Sequence, residues 1–266
     1  MDNSLVIFDL DGTLIDTIGD LSAAVEHALS QGGFPGHTVE EYRRMVGHGI
    51  RNLVTRALPE GTSEETIDLT LGRFVKYYTS HIDVLSRPYP GIHELLLELS
   101  SAGVKLAVAS NKFQEGTEAL IHRFFDDIPF VKILGNAPGL PLKPDPEVIR
   151  LALEAASLGT PLAIGRTQPQ RSENGRGRGQ VACQEIAPLA HPTVAQNGDV
   201  PGGEPEHVVV MVGDSATDIK TARNAGIPAV AVSWGFRPRT DLETADAIAD
   251  TPEQLLEIIR IFTGKN

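Results

Sequence analysis

The stretch Leu5-Val6-Ile7-Phe8-Asp9-Leu10-Asp11-Gly12-Thr13 decides which fold the chain can adopt. Its first four residues form a short apolar run, which predicts a buried strand, and Gly12 predicts the loop that follows. Side chains alternate between the two faces of a strand, so Asp9 and Asp11 extend toward the same side. The stretch therefore predicts a buried strand whose exposed end carries two neighbouring carboxylates.

Beyond Pro88 the chain alternates between strand and helix patterns. Short apolar runs predict strands at residues 104–110, 130–134, 208–212 and 229–232. Apolar residues at helical spacing predict helices at residues 92–99, 114–125, 146–156, 215–225 and 252–262. Because strands that alternate with helices form a parallel sheet covered on both faces, we expect a doubly wound, Rossmann-like α/β core of residues 1–14 and 87–266.

A block with helical spacing alone separates the first strand from the rest of this core. Apolar residues recur at helical spacing over residues 17–31, and Thr38 with Glu41 forms a capping box that predicts the start of another helix. Two more helical patterns run over residues 50–58 and 67–78. We therefore expect residues 15–86 to form an all-helical cap domain inserted into the core.

Residues 159–206 break the alternation. They contain 8 Gly and 6 Pro, include a Gly-Arg run at residues 175–179, and show no sustained period of either kind. This composition predicts a flexible, disordered insertion. The Gly-Arg run could also serve as a small anion- or RNA-binding tag, or recruit a partner, but a biased linker is the commoner reason for such a composition.

Composition excludes several classes of protein. The formal charge of the 266 residues is -12, which disfavours binding to nucleic acid and to anionic membranes. The single cysteine, Cys183, cannot form an internal disulfide, and no apolar run approaches the ~18 residues that a membrane span needs. These features favour a cytoplasmic protein that binds neither nucleic acid nor membranes, and they leave open whether it is a monomer or homodimer.

Polar residues also follow two more predicted strands and precede one predicted helix. They are Ser110-Asn111 after the second strand, Lys143 before a helix, and Gly213-Asp214-Ser215 with Asp218 after the fourth strand. Parallel sheets bind their ligands at the carboxyl ends of the strands, so these side chains should converge with Asp9 and Asp11.

In these four elements the chain resembles the haloacid dehalogenase superfamily of aspartate-nucleophile phosphatases. The pattern of that superfamily is DxDG[TV], then Ser or Thr after the second strand, a Lys, and GDxxxD; here these are Asp9 to Thr13, Ser110, Lys143, and Gly213 to Asp218. Within the superfamily the chain looks most like the phosphoglycolate phosphatases of the helical-cap subclass, through stretches such as Val46-Gly47-His48-Gly49 and Ser110-Asn111-Lys112.

The resemblance implies a Mg²⁺-dependent phosphatase acting on a small phosphorylated metabolite. Asp9 is the expected nucleophile, which becomes an aspartyl phosphate, and Asp11 is the expected acid and then base. Crowded carboxylates beside a phosphate dianion call for a hard divalent cation. Family analogy assigns the metal to Asp9, the Asp11 carbonyl and Asp214. For Asp218 two roles stay open: it caps its helix only, or it also supports the metal or Lys143.

The remaining candidates concern the substrate. Lys143 is expected to supply positive charge to the phosphoryl group, and Ser110 with Asn111 to hydrogen-bond its oxygens. Thr13 is expected to fix the Asp9 loop by hydrogen bonding.

In the cap, the turn of Gly47, His48 and Gly49 offers backbone amides to a substrate carboxylate. Arg51, one turn into the next helix, is a further candidate for that carboxylate.

Several alternatives remain beside 2-phosphoglycolate as substrate. Pyrophosphatases and sugar-phosphate phosphatases use the same chemistry and share part of the subclass stretches. The fold would also permit a non-catalytic interaction protein that uses its insertion to recruit a partner. The complete set of Asp9, Asp11, Lys143 and Asp214 favours an enzyme.

Overall fold

The structure is a computed structural model that describes residues 4–156 and 208–264. The insertion predicted for residues 159–206 lies outside the described residues, so its flexibility stays a prediction. Within the two described ranges, no helix is both long enough and apolar enough to cross a membrane.

The chain forms eight strands and nine α-helices within the described residues. In chain order they are β1 (Leu5–Phe8), β2 (Ile15–Asp16), α1 (Ile18–Ser30), α2 (Val39–Met45), α3 (Ile50–Ala57), α4 (Glu64–Tyr78), β3 (Arg87–Pro88), α5 (Ile92–Ser101), β4 (Lys105–Phe113), α6 (Gln114–Phe124), β5 (Phe130–Asn136), α7 (Glu147–Ala155), β6 (Val209–Gly213), α8 (Ala216–Ala225), β7 (Ala229–Val232), β8 (Ala247–Ala249) and α9 (Pro252–Thr263).

Six of these strands form one parallel sheet, in the order β5-β4-β1-β6-β7-β8. Strand β1 lies in its middle, where Leu5 pairs with Lys105 of β4 on one side and with Val209 of β6 on the other. A central strand of a parallel sheet is buried on both faces, which explains why all four residues of β1 are apolar.

Helices cover both faces of the sheet, as the alternating pattern predicted. The side chains of Val6 and Phe8 belong to a core cluster with residues of α5, α6 and α9. Those of Leu5 and Ile7 belong to a second cluster with residues of α7 and α8. The doubly wound α/β fold is therefore confirmed.

The helical block differs from its prediction at both ends. Helices α1 to α4 follow one another as expected, and the capping box of Thr38 and Glu41 is present. However, the connections into and out of the block are not helical: β2 and β3 pair antiparallel, with Ile15 opposite Pro88. The chain leaves and re-enters the core at the same place, so its two connections satisfy each other's backbone groups. The division into core and cap domains stays a prediction.

Two features of the sheet were absent from the sequence prediction. Strand β4 continues to Phe113, three residues beyond the predicted end at Ser110, with an irregular register between Ala109 and Phe113. Strand β8 was missed because three residues, Ala247–Ala249, are too few to show a period. A 3-10 helix over Arg239–Leu242 was missed for the same reason.

A buried carboxylate fastens the helical block to the chain that returns from it. Asp20, in the first turn of α1, is only 2% exposed. Its oxygens accept hydrogen bonds from the backbone N–H groups of Leu85 and Ser86 and from the Ser86 hydroxyl, the last at 2.7 Å. These donors would lack partners if the carboxylate were removed.

We therefore expect Asp20→Ala to lower the free energy of unfolding by about 3 kcal/mol, because it leaves buried donors unsatisfied. The matched control is Asp126→Ala, at an exposed position, where the change should stay within about 0.5 kcal/mol. Urea denaturation of the two variants and the wild type measures both effects. Equal stabilities for the two variants would show that Asp20 does not hold the block.

Candidate active site

The polar residues predicted from four separate segments meet in one pocket at the carboxyl ends of the central strands. Asp9 follows β1, Asn111 lies near the end of β4, and Asp214 follows β6. The pocket is lined by these residues together with Asp11, Ser110, Lys143 and Asp218. The convergence that the sequence predicted is therefore present.

The ammonium of Lys143 lies at the centre of the site. Its Nζ atom donates to Asp9 Oδ1 at 2.8 Å and to Asp218 Oδ1 at 2.6 Å, and its side chain is 2% exposed. Burial alone would lower the pKa of this ammonium, but the carboxylates of Asp218 and Asp9 more than offset burial and raise it. Lys143 therefore carries its positive charge throughout the physiological pH range.

Asp218 has two structural partners, which bears on the alternatives left open for it. One oxygen accepts from Lys143, and the other accepts from the backbone and the hydroxyl of Ser215, completing the capping box of α8. Asp218 thus caps its helix and also holds Lys143.

The side chain of Asp214 occupies a space that is open because two neighbouring residues are glycines. Its Oδ2 atom accepts a hydrogen bond from the backbone N–H of Phe236 at 2.6 Å. A Cβ atom on Gly12 would lie 2.3 Å from Asp214 Oδ2, and one on Gly235 would lie 2.3 Å from Asp214 Cβ. Gly12 also has a φ of 86°, a conformation that favours glycine. These two glycines let the backbone approach the carboxylate closely.

Burial and mutual repulsion disturb the ionisation of two of these carboxylates. Burial raises the pKa of Asp9 from its ordinary value of 3.8 to about 7; Lys143 lowers it in part, and Asp218 raises it further. For Asp214, burial and then the charges of Asp9 and Asp218 raise the pKa well above its ordinary value. The cluster holds more negative charge than Lys143 alone compensates.

The cluster fits a hard divalent cation. Asp9, Asp214 and Asp218 are all buried, and each offers a carboxylate oxygen such that these oxygens lie within 4.8 Å of one another. Oxygen donors of this type bind Mg²⁺ and similar cations, and a bound cation would relieve the repulsion among the carboxylates.

Asn111 holds two loops at the mouth of the pocket. Its side-chain amide exchanges two hydrogen bonds with the backbone of Lys143, at 2.8 and 3.1 Å, and donates to the carbonyl of Gly47 at 3.1 Å. Ser110 lines the pocket and accepts a hydrogen bond from the Lys112 backbone at 3.2 Å. The Asn111 side chain therefore positions Lys143.

Only some of the helical-block residues that were predicted to bind the substrate carboxylate line the pocket. Gly47 and Gly49 line it, whereas His48 is exposed and is not among the lining residues. Partial desolvation, and next the nearby charge of Arg237, lower the pKa of the His48 imidazole. Arg51 does not reach the pocket. Its guanidinium is half-exposed and pairs with Glu64 and Asp68 of α4.

The placement of Arg51 corrects the expectation that it meets a substrate carboxylate. Helical spacing placed it one turn from the glycine turn, but the acidic residues of the neighbouring helix draw its side chain to the opposite face. The role expected for Thr13 stays a prediction: its buried hydroxyl has no hydrogen-bond partner among the described residues, but its backbone N–H donates to the Leu10 carbonyl at 3.2 Å and its carbonyl accepts from Trp234 at 3.1 Å.

Two charged residues that line the pocket, Lys112 and Arg237, were missed by the sequence reasoning. The Nζ atom of Lys112 lies 3.1 Å from Asp11 Oδ1, and its side chain is 1% exposed. Arg237 lines the pocket and donates hydrogen bonds to the carbonyls of Arg43 and Val46 at the end of α2. A lysine inside an apolar strand was a usable signal for Lys112, whereas nothing in the sequence around Arg237 singled it out.

Known proteins with this arrangement belong to one family. Residues 6–162 match the family model described as haloacid dehalogenase-like hydrolase, and residues 142–258 match a second model of HAD-hydrolase-like proteins. The phosphoglycolate phosphatase of Mesorhizobium japonicum is 32% identical over 90% of this chain and 86% of its own. That of Caulobacter vibrioides is 31% identical over 89% of this chain and 81% of its own.

Solved structures agree with these relatives. A protein of Lactobacillus delbrueckii subsp. bulgaricus, provisionally described as a phosphoglycolate phosphatase, superimposes with a TM-score of 0.75 and 29% identity, over 97% of this chain and 99% of its own. The matched models span more than half of the chain, and the relatives span most of it. The chain therefore belongs to the haloacid dehalogenase-like hydrolases, as a phosphoric monoester hydrolase most similar to the phosphoglycolate phosphatases.

Proposed function

We propose that this enzyme hydrolyses 2-phosphoglycolate to glycolate and inorganic phosphate, with Mg²⁺ as its metal and an aspartyl phosphate on Asp9 as intermediate. The observation that carries the proposal is the place of the Asp9 carboxylate. It lines the pocket 2.8 Å from the Lys143 ammonium, and Asp11 lines the same pocket two residues further along the chain. Relatives described as phosphoglycolate phosphatases support the choice of substrate.

The reaction divides into two steps that these residues can perform. In the first, an oxygen of Asp9 attacks phosphorus, the bond between phosphorus and the ester oxygen breaks, and Asp11 donates a proton to the departing alkoxide. In the second, Asp11 takes a proton from a water molecule, which attacks phosphorus and releases inorganic phosphate with the Asp9 carboxylate regenerated. Lys143 stabilises the negative charge on the phosphoryl oxygens in both steps.

Asp9, Asp214 and the Asp11 carbonyl are the groups that would hold Mg²⁺. When bound, the ion offsets the negative charge of the carboxylates and of the phosphoryl group. Asp218 supports this set through its hydrogen bond to Lys143, and its carboxylate is close enough to Asp9 and Asp214 to offer a further oxygen to the ion. Asn111 keeps Lys143 in place beneath the phosphoryl group.

Substitution of the nucleophile tests the proposal directly. Asp9→Asn should reduce phosphate release from 2-phosphoglycolate by at least about 10⁴-fold, because the amide keeps the shape of the carboxylate but does not attack phosphorus. The matched control, Asp145→Asn, changes an exposed aspartate near Lys143 and should retain activity within about twofold. Mass spectrometry must show that the variant amide is intact.

Wild-type-like turnover by Asp9→Asn would refute the mechanism. The same assay on a substrate panel tests the alternatives. Higher activity on pyrophosphate or on a sugar phosphate than on 2-phosphoglycolate would favour those substrates, and no release from any substrate in the presence of Mg²⁺ would favour a non-catalytic role.

The raised pKa of Asp9 gives a second prediction. Between pH 5 and about pH 7 the cation-free folded protein binds a proton at Asp9 that the unfolded chain, with a pKa of 3.8, has already lost, so the contribution of Asp9 to stability falls as the pH rises through this range. In chelator, the melting temperature of the wild type should therefore fall more steeply over this range than that of Asp9→Asn. Added Mg²⁺ should raise the wild-type melting temperature more at pH 8 than at pH 5, because protons compete with the cation.

Thermal melts of both proteins at several pH values, with chelator and with Mg²⁺, measure these slopes. Identical slopes in wild type and Asp9→Asn would contradict the shifted pKa. No response of the wild type to Mg²⁺ would contradict the metal site.

Arg237 supports a substrate that carries a second negative charge. Among the described residues it forms no ion pair with a carboxylate; its hydrogen bonds go to two backbone carbonyls, and its Nη2 atom would lie 3.3 Å from a Cβ on Gly47. It thus places a cation between the pocket and the glycine turn of residues 46–49. A carboxylate two bonds from the phosphate ester oxygen would find its complement there.

Arg237→Gln should therefore lower kcat/KM for 2-phosphoglycolate by about 30-fold, the loss of a charged hydrogen bond of about 2 kcal/mol. For 2-hydroxyethyl phosphate, which lacks the carboxylate, the loss should stay within about threefold. The matched control is Arg239→Gln, which changes the exposed first residue of the 3-10 helix, two residues away. It should leave kcat/KM unchanged for both substrates. Equal losses on both substrates would show that Arg237 only holds α2.

A further inference from the structure

A lysine ammonium is buried between the expected acid and the helical block. Lys112 lies in β4, and its side chain is 1% exposed. Its Nζ atom contacts Asp11 at 3.1 and 3.4 Å and donates to the hydroxyl of Tyr78 at 2.6 Å. The same atom lies 4.8 Å from the centre of the Tyr78 ring.

Burying an ammonium is costly unless a carboxylate and hydrogen bonds compensate it. Among the described residues, Asp11 is the carboxylate that pairs with Lys112, and Tyr78 supplies the second acceptor. Such an arrangement at the edge of a reaction pocket has more than one use: it either stabilises the fold alone or controls the group that it contacts.

The contacts of Asp11 favour control. Its Oδ1 atom receives hydrogen bonds from Lys112 and, at 2.7 Å, from the hydroxyl of Thr17, the residue before α1. Two donors on one oxygen, with Lys112 Nζ also 3.4 Å from the other, fix the rotation of the carboxylate of Asp11, which lines the pocket. Efficient proton transfer needs this orientation, because the acid must lie within hydrogen-bond reach of the leaving oxygen.

Tyr78 links this contact to the helical block. It is the last residue of α4 and is fully buried, and its ring stacks on Phe74 at 5.2 Å and meets the edge of Phe113 at 6.1 Å. Its hydroxyl therefore has little freedom to leave Lys112. The position of α4 is transmitted through Tyr78 and Lys112 to Asp11.

We infer that Lys112 is a positioning residue, which orients the Asp11 carboxylate for proton transfer, and that Tyr78 makes this orientation depend on the placement of α4. This inference rests on the proposed function, in which Asp11 protonates the leaving group. Neither Lys112 nor Tyr78 contacts Asp9 or Lys143 within hydrogen-bond distance, so the nucleophile and the phosphoryl-binding charge keep their own partners.

The leaving group distinguishes positioning from a merely structural role. The alkoxide of glycolate is a poor leaving group that needs a proton, whereas p-nitrophenolate departs without one. The constant kcat/KM reports only the steps up to release of the leaving group, so the hydrolysis of the phosphoenzyme does not obscure the comparison. Loss of orientation at Asp11 should therefore affect the two substrates unequally.

Lys112→Met keeps the length of the side chain and removes its charge. We expect kcat/KM to fall about 100-fold for 2-phosphoglycolate and less than about fivefold for p-nitrophenyl phosphate. Tyr78→Phe removes a single hydroxyl and should have a smaller effect of the same kind. We expect kcat/KM to fall about tenfold for 2-phosphoglycolate and about twofold for p-nitrophenyl phosphate. Tyr77→Phe is the matched control on the same helix; Tyr77 stacks between two surface histidines, so neither constant should change.

Equal losses on the two substrates in Tyr78→Phe would overturn the inference, and so would the absence of any loss in both variants. If Lys112→Met does not fold, Tyr78→Phe alone still tests the inference. Asp11→Asn separates this failure from that of the proposed function. If Asp11→Asn shows the unequal loss and the Lys112 and Tyr78 variants do not, only the positioning role fails. If Asp11→Asn itself leaves both constants unchanged, the acid role assigned to Asp11 fails.

Discussion

The ion pairs of one buried ammonium organise this molecule. Lys143 holds Asp9 and Asp218 at 2.8 and 2.6 Å, and these residues come from three segments far apart in the chain. Removing that charge would leave two buried carboxylates uncompensated beside Asp214, and a buried pair that loses one partner costs several kcal/mol. The placement of β1, of the loop before α7 and of the start of α8 is therefore tied to this contact, and so is the chemistry.

The carboxylate cluster also explains why the central strands carry the residues they do. Parallel strands buried on both faces leave polar side chains only at their ends, and the twist of the sheet brings the ends of β1, β4 and β6 together. Asp214 fits there because Gly12 and Gly235 offer no side chain. Burial, and after it repulsion from neighbouring carboxylates, raises the pKa values of Asp9 and Asp214 in the cation-free protein, so the arrangement that serves the chemistry reduces the stability of the fold. Such a cluster gains stability when its ligands bind.

Sequence reasoning succeeded where a local pattern determines the position of a side chain. The two carboxylates after β1 and the capping box of Ser215 with Asp218 depend on neighbours a few residues away, so strand alternation and helix geometry placed them. It failed where the direction of a side chain is set by partners that are distant in the sequence. Arg51 was expected at the substrate, but its direction is set by Glu64 and Asp68, which helical spacing around Arg51 does not reveal.

The same limit applies to Lys112 and Arg237. Lys112 meets Asp11 across 101 positions of sequence, and Arg237 meets Val46 across 191. Such pairs arise only once the topology has brought the segments together. A lysine inside an apolar strand can single out Lys112, but a single sequence does not show that Asp11 is its partner. The two-residue strands β2 and β3 escaped prediction in the same way, because each is defined by its partner and not by its own composition.

Hydrogen bonds of Asn111, Arg237 and Lys112 are among those that join the site to the helical block, and they differ in the free energy that breaking them would cost. Asn111 donates to the carbonyl of half-buried Gly47, a neutral bond that contributes about 1 kcal/mol, and the charged side chain of Arg237 donates to the carbonyl of half-buried Arg43, a bond of about 2 kcal/mol. The contact of Lys112 with Tyr78 lies in the interior. Moving Tyr78 away would leave the buried ammonium of Lys112 without its hydroxyl acceptor, which is more costly. The loop of residues 46–49 can therefore part from the core more readily than the end of α4 can. A movement of that loop would therefore leave the contacts of Asp11 with Lys112, and of Lys112 with Tyr78, intact.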